Sequence, residues 1–137
     1  MYLDTNVFIY AALNREEKGK RCRKMMEMLG RGKLSCAISC LVLDEVAWAV
    51  SKHRDFNTGM KVWGDILEVP NLKIVSIDEN IAVKAPSLMD KYRLRPRDAI
   101  HAALVVENAI GTIVSDDSDF DRVNEIQRIK LDEMKIT

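Results

Sequence analysis

An α/β fold is predicted: a three-layer α/β/α sandwich around a central parallel sheet of about five strands. Short apolar segments alternate with longer segments of helical periodicity from end to end. The order reads β-α-α-β-α-α-β-α-α-β-α-β, and strands separated by helices pair in parallel beneath helical cover. The 137 residues, free of repeats, low-complexity tracts and Pro/Gly-rich linkers, suit one domain over 1–137 with one core.

Each element has a local reason. Residues 1–4 form a short buried strand ending at Asp4, and a helix over about 6–13 follows, with Thr5 or Asn6 as its N-cap. A charge-rich helix at about 15–30 carries Met25, Met26, Met28 and Leu29 on its apolar side and stops at Gly30 and Gly32. Residues 34–38 suit a very short strand. Ser39 opens a helix through His53 whose apolar face holds Val42, Val46 and Ala49 with Leu43, Ala47 and Val50. A helix over 56–68 ends before Pro70, and 73–77 is a strand. Asp78 caps a helix to Tyr92 that Pro86 interrupts. Pro96 sits in the first turn of a helix to Ala109, Gly111 ends it, and 112–115 is a strand. A short helical turn and an edge strand over 126–131 complete the chain.

Composition narrows the function. Lys plus Arg equals 21 and Asp plus Glu equals 21, so no global basic field advertises nucleic-acid binding, and any basic contacts must be local. The basic run Arg15, Lys18, Lys20, Arg21, Arg23 and Lys24 reads first as a solvated helix face and second as a phosphate holder; Arg95 and Arg97 admit the same two readings. Three cysteines, Cys22, Cys36 and Cys40, without a CxxC pair read as buried free thiols of a cytoplasmic protein. The longest apolar runs, such as Ala102–Val106, fall far short of a membrane span, and a carboxylate as early as Asp4 argues against a signal peptide.

The acidic positions carry the chemistry. Asp4 ends the first strand, and the cluster Ser115-Asp116-Asp117-Ser118-Asp119 follows a late one, which places both at the sheet edge where ligands of such folds bind. Asp4 could instead merely cap the next helix. Glu45 has Leu41, Val42, Trp48 and Ala49 as helical neighbours, and a carboxylate in apolar company needs a partner or a metal. Asp44 has similar neighbours, and pattern alone does not separate the two. Asp98 lies in a first helical turn, where the macrodipole favours an anion whether or not it binds anything. His101 shares its face and reads as a packed or supporting histidine rather than a ligand; His53 reads as a surface residue. With no HxxxH pattern, zinc hydrolase chemistry has little support. Carboxylates this close repel one another unless a hard cation compensates, so a metal-dependent nuclease is the first hypothesis.

Four segments, Tyr-Leu-Asp-Thr-Asn-Val at 2–7, Glu45 within its helix, Arg97-Asp98-Ala-Ile-His101-Ala-Ala, and Ile-Val-Ser-Asp-Asp-Ser-Asp-Phe at 113–120, resemble the PIN-domain ribonuclease family, especially the VapC-type toxins of toxin–antitoxin modules. The resemblance covers nearly the whole chain. It implies a five-stranded parallel fold, Mg²⁺- or Mn²⁺-dependent RNA cleavage, a homodimer and a small antitoxin partner. By position the implied ligands and catalytic residues are Asp4, Glu45, Asp98 and an acid of the last cluster, with Asp117 ranked before Asp116 and Asp119 third. Mg²⁺ on a few carboxylates with retained waters suits phosphodiester hydrolysis, and looped or single-stranded RNA suits a small pocket better than duplex. A receiver-like Mg²⁺-binding signalling domain would need paired acids after the first strand, and a haloacid-dehalogenase-type phosphatase would need Asp-x-Asp where residue 6 is Asn. A non-catalytic PIN-like binding module is the remaining alternative. Self-association is expected through Met25, Met26, Met28 and Leu29 with Trp63 and Leu67, unless those side chains form the core.

Overall fold

The computed structural model describes residues 1–136. Five parallel strands form one sheet: β1 (Tyr2–Leu3), β2 (Cys36–Ser39), β3 (Leu72–Val75), β4 (Thr112–Val114) and β5 (Gln127–Ile129), in the order β3-β2-β1-β4-β5. Six α-helices connect them: α1 (Thr5–Leu13), α2 (Glu17–Gly30), α3 (Cys40–His53), α4 (Phe56–Leu67), α5 (Glu79–Tyr92) and α6 (Pro96–Glu107). Short 3₁₀ turns cover Ser118–Arg122 and Leu131–Glu133.

The chain steps outward from β1 to β2 to β3 and then crosses back to β4 on the other side of β1. Right-handed crossovers therefore lay α1–α4 on one face and α5 and α6 on the other. Helix contacts agree, with α1 against α2 and α3, α3 against α4, and α5 against α6. The reversal leaves a crevice at the carboxyl ends of β1 and β4, the place such sheets offer for chemistry.

The core is built from Tyr2, Leu3, Ile38, Ile113 and Val114 of the sheet and from apolar helix stripes such as Val42, Val46 and Val50. Met25, Met28 and Leu29 belong to this core, so the surface expected there for self-association does not exist on α2. Exposed apolar side chains lie elsewhere: Trp48, Phe56, Met60 and Leu67 of α3 and α4. No helix among the described residues is long and apolar enough to cross a membrane.

Several local expectations need correction. Asp4 caps α1 in place of Thr5 or Asn6, because its Oδ1 accepts from Thr5 N–H at 2.7 Å. Ser39 is the last residue of β2 as well as the α3 N-cap, shifting that strand toward the helix. Pro86 does not interrupt α5, which continues from Glu79 to Tyr92 with Pro86 on its exposed side. Cys22 and Cys36 are buried as expected, but Cys40 is exposed, because the first turn of α3 turns it outward. Of the basic run, Arg15 and Lys20 are exposed as a solvated face, whereas Lys18, Arg21 and Arg23 are tied down. Lys18 pairs with Asp116, Arg21 donates to the carbonyls of Leu131, Asp132 and Met134, and Arg23 donates to those of Ala11 and Asn14.

Candidate functional site

Pairing of β1 with β4 sets the site. Asp4 N–H donates to the Val114 carbonyl at 3.1 Å, which holds Asp4 beside the start of the acidic cluster. Ser115, fully buried, donates from Oγ to Asp4 Oδ2 at 2.6 Å, and the same oxygen accepts from Asp117 N–H at 3.0 Å. One serine thus ties the carboxylate of the first strand to the backbone after the fourth. Asn6 reaches Ser115 Oγ at 3.4 Å, and its own Oδ1 is buried without a partner.

Asp117 and Asp116 diverge. Asp116 Oδ2 takes Lys18 Nζ at 2.6 Å, and its Oδ1 accepts from Leu131 N–H, so it staples α2 and the C-terminal segment. Asp117 turns the other way. One oxygen each of Asp98, Asp117 and Asp119 lies within 4.8 Å of the others, a group that could hold a metal ion. Asp119, the lowest-ranked acid of the cluster, is brought in because Asp117 Oδ1 caps its N–H at 2.9 Å and folds the 3₁₀ turn toward Asp98.

Burial raises the Asp98 carboxyl above its usual pKa, the negative charges of Asp117 and Asp4 add to the rise, and Arg95 opposes it. Arg95 lies over this group, with Nε 3.3 Å from Asp98 Oδ2 and a terminal nitrogen 3.6 Å from Asp117 Oδ2. A cavity of about 390 Å³ opens beside it, lined by Glu45, Arg95, Pro96, Arg97 and Asp98. Asp98, Glu45 and two arginines therefore share one mouth.

Glu45, not Asp44, faces inward; Asp44 is exposed on the outer side of α3. Glu45 Oε1 is 2.7 Å from His101 Nε2, and that nitrogen is 4.0 Å from Asp4 Oδ1. His101 is buried and supports the carboxylates, as the face it shares with Asp98 suggested. Two members of the cluster gave no signal in the sequence. The Tyr2 hydroxyl is 2.8 Å from His101 Nδ1 and 2.9 Å from Ser39 Oγ, contacts that span 99 and 37 residues. Only strand register, with Tyr2 opposite Ala37, brings them together.

The donor set is entirely oxygen, the carboxylates of Asp98, Asp117 and Asp119. Such a set fits a hard divalent cation such as Mg²⁺ or Mn²⁺ and lacks the thiolate and imidazole ligands that softer metals favour. Electrostatically it is incomplete, since three mutually repelling carboxylates are offset by two exposed arginines, Arg95 beside Asp98 and Asp117 and Arg122 beside Asp119.

The fold has counterparts of known structure. VapBC2 from Rickettsia felis, solved bound to a DNA fragment of its promoter, superposes with a TM-score of 0.74 at 19% identity, covering 94% of this chain and 96% of that one. DNA-bound VapBC from Salmonella typhimurium gives 0.73 at 18% identity, over 95% and 96% of the two chains. Mycobacterium tuberculosis VapC20, described as a sarcin–ricin loop-cleaving toxin, gives 0.69 at 13% identity, over 90% and 94%. Likeness at these identities establishes the fold. No curated protein sequence matches. The PIN domain family model matches residues 1–126, a span that holds all five acids of the crevice and every strand but the last, and the chain therefore belongs to the PIN-domain family.

Proposed function

We propose that this protein is a divalent-metal-dependent endoribonuclease that hydrolyses phosphodiester bonds in single-stranded or looped RNA, the toxin half of a VapBC-type pair acting in the cytoplasm. The observation that carries the reading is the group of Asp98, Asp117 and Asp119, whose carboxylate oxygens lie within 4.8 Å of one another, with Asp4 joined to the Asp117 backbone through Ser115 and Glu45 sharing a cavity with Asp98. Asp4 and Asp98 would hold Mg²⁺ or Mn²⁺, and Glu45 and Asp117 would complete the set or orient the attacking water. When bound, such a cation polarises the phosphate and lowers the pKa of the water. Ser115 keeps Asp4 turned into the crevice through its 2.6 Å bond, and Arg95 and Arg97 at the mouth are placed to meet phosphate oxygens. In the reaction the water oxygen bonds to phosphorus, one P–O bond breaks, and the departing sugar oxygen takes up a proton.

An antitoxin partner and a homodimer belong to the same proposal. The structural counterparts include toxin–antitoxin complexes, and Trp48, Phe56, Met60 and Leu67 give this chain exposed apolar surface. The test is incubation of looped RNA with the purified protein and Mg²⁺ or Mn²⁺, with a chelator control. Cleavage that needs the metal and disappears in Asp117→Asn is expected. Metal-independent cleavage, or none under any metal, overturns the reading and favours a non-catalytic PIN-like module.

A further inference from the structure

Behind the crevice runs a chain of buried polar groups: Ser39, Tyr2, His101 and Glu45. Ser39 and Tyr2 are fully buried and His101 is 1% exposed, whereas Glu45 reaches the cavity with its side chain 20% exposed. The donor and acceptor roles follow from chemistry. An ionised Glu45 only accepts, so His101 donates from Nε2 at 2.7 Å. A neutral imidazole that donates from Nε2 presents a bare Nδ1, which accepts from the Tyr2 O–H at 2.8 Å. The Tyr2 oxygen is then free to accept from the Ser39 hydroxyl at 2.9 Å. Tyr2 and His101 each have one partner on each side, and a break leaves a buried polar atom unpaired.

The chain ends on one oxygen only. Oε1 of Glu45 is taken by His101, while the cavity lined by Glu45 and Asp98 lies on the carboxylate's open side. A core that needed only to bury a histidine would not run its last bond out to an acid that reaches the cavity.

We propose that the Ser39–Tyr2–His101 chain is a positioning device that fixes the rotamer of Glu45, presents its second oxygen to the metal site, and thereby sets the affinity for a divalent cation. The inference rests on the metal-site reading above. His101 and Tyr2 act through Glu45 and touch neither metal nor substrate.

The experiment measures Mn²⁺ binding to the full chain by electron paramagnetic resonance, without RNA. His101→Leu removes the donor and is expected to weaken Mn²⁺ binding about tenfold, the low end of what outer partners of metal ligands contribute. His101→Gln keeps an amide donor toward Glu45 and should restore most of the loss. Tyr2→Phe keeps the ring packing and removes only the hydroxyl, and its loss should be smaller than that of His101→Leu. In a Glu45→Gln background, His101→Leu should add no further loss, because the two act as one unit. Folded variants that all bind Mn²⁺ within about twofold of the wild type, or a His101→Leu loss undiminished beside Glu45→Gln, overturn the positioning role. Should His101→Leu not fold, Tyr2→Phe and His101→Gln decide: Tyr2→Phe binding like the wild type, or Gln binding more weakly than Phe, also overturns it. A wild-type protein without saturable Mn²⁺ binding removes the metal-site reading itself, and this proposal with it.

Discussion

Replacing Asp98 with Asn keeps the side chain's size and removes one charge. Were Asp98 only an anion in the first turn of α6, the change would cost about 0.3–1 kcal/mol of macrodipole stabilisation. Its ion pair with Arg95 adds little, because the Arg95 side chain is 75% exposed and pairs of that kind contribute roughly 0.2–1 kcal/mol before salt screening. The opposing contribution is the burial of Asp98 and its repulsion from Asp117 and Asp4, and these win, since the carboxyl is held above its usual pKa. A raised carboxyl pKa means that its contribution to stability is fully present below the unfolded value and is lost as pH rises through the folded value. At neutral pH without metal, Asp98→Asn should therefore melt at or above the wild-type temperature, and that margin should shrink as pH falls toward the ordinary Asp range.

Metal reverses the comparison. At a tenfold excess over Kd a cation stabilises the native wild type by about 1.4 kcal/mol, a rise of roughly 4 °C for a domain of this size. The variant should lose most of that gain along with RNA cleavage. Calorimetry in chelator and in Mg²⁺, paired with the cleavage assay, reads both effects. An Asp98→Asn protein that melts lower in chelator, keeps its metal-induced rise and cleaves RNA like the wild type would refute the reasoning.

The acids of the last cluster should separate cleanly: Asp116→Asn removes the Lys18 pair, costs at most about 1 kcal/mol and leaves cleavage intact, whereas Asp117→Asn abolishes cleavage in the same assay. Ser115→Ala deletes the hydroxyl that joins Asp4 to the Asp117 backbone and should cost roughly 1–3 kcal/mol in urea unfolding, with weaker Mn²⁺ binding by calorimetry. A Cβ at Gly59 would lie 2.0 Å from Ser51 Oγ and 2.7 Å from the Ala47 carbonyl, so Gly59→Ala should pry α4 from α3. Its cost should be roughly 1–3 kcal/mol by urea denaturation, and a neutral result would mean that the two helices can slide apart freely.

The fold was legible because its signals are local. Apolar runs, caps such as Asp78, and the stops at Pro70 and Gly111 each act within a few residues, and together they give the strand–helix order from which the parallel sheet follows. Asp4 and Asp117 were legible for a related reason, since strand ends in such a sheet share one edge. What stayed hidden depends on partners far along the chain. Asp116 and Asp117 differ only in that Lys18, 98 residues away, captures the first of them. Tyr2 looked like one more apolar strand residue until register set its hydroxyl against Ser39 and His101. The methionines of α2 fitted a core or an interface equally well by pattern, and burial at Met25 and Met28 decides for the core.

The employment of the α2 arginines as staples has a consequence for how substrate is recognised. Arg21 and Arg23 hold their guanidinium groups against backbone carbonyls, and Lys18 is neutralised by Asp116, so these side chains are not free to turn toward an incoming phosphate. With a net charge of zero, the cations at the crevice mouth are Arg97 and Arg95, the latter already shared with Asp98 and Asp117. Two phosphate contacts to a single strand would give a salt slope of only about −1.4 on a double-logarithmic plot. Affinity for RNA would then survive high ionic strength, and choice among RNAs would fall to the shape of the loop and the bases it turns outward.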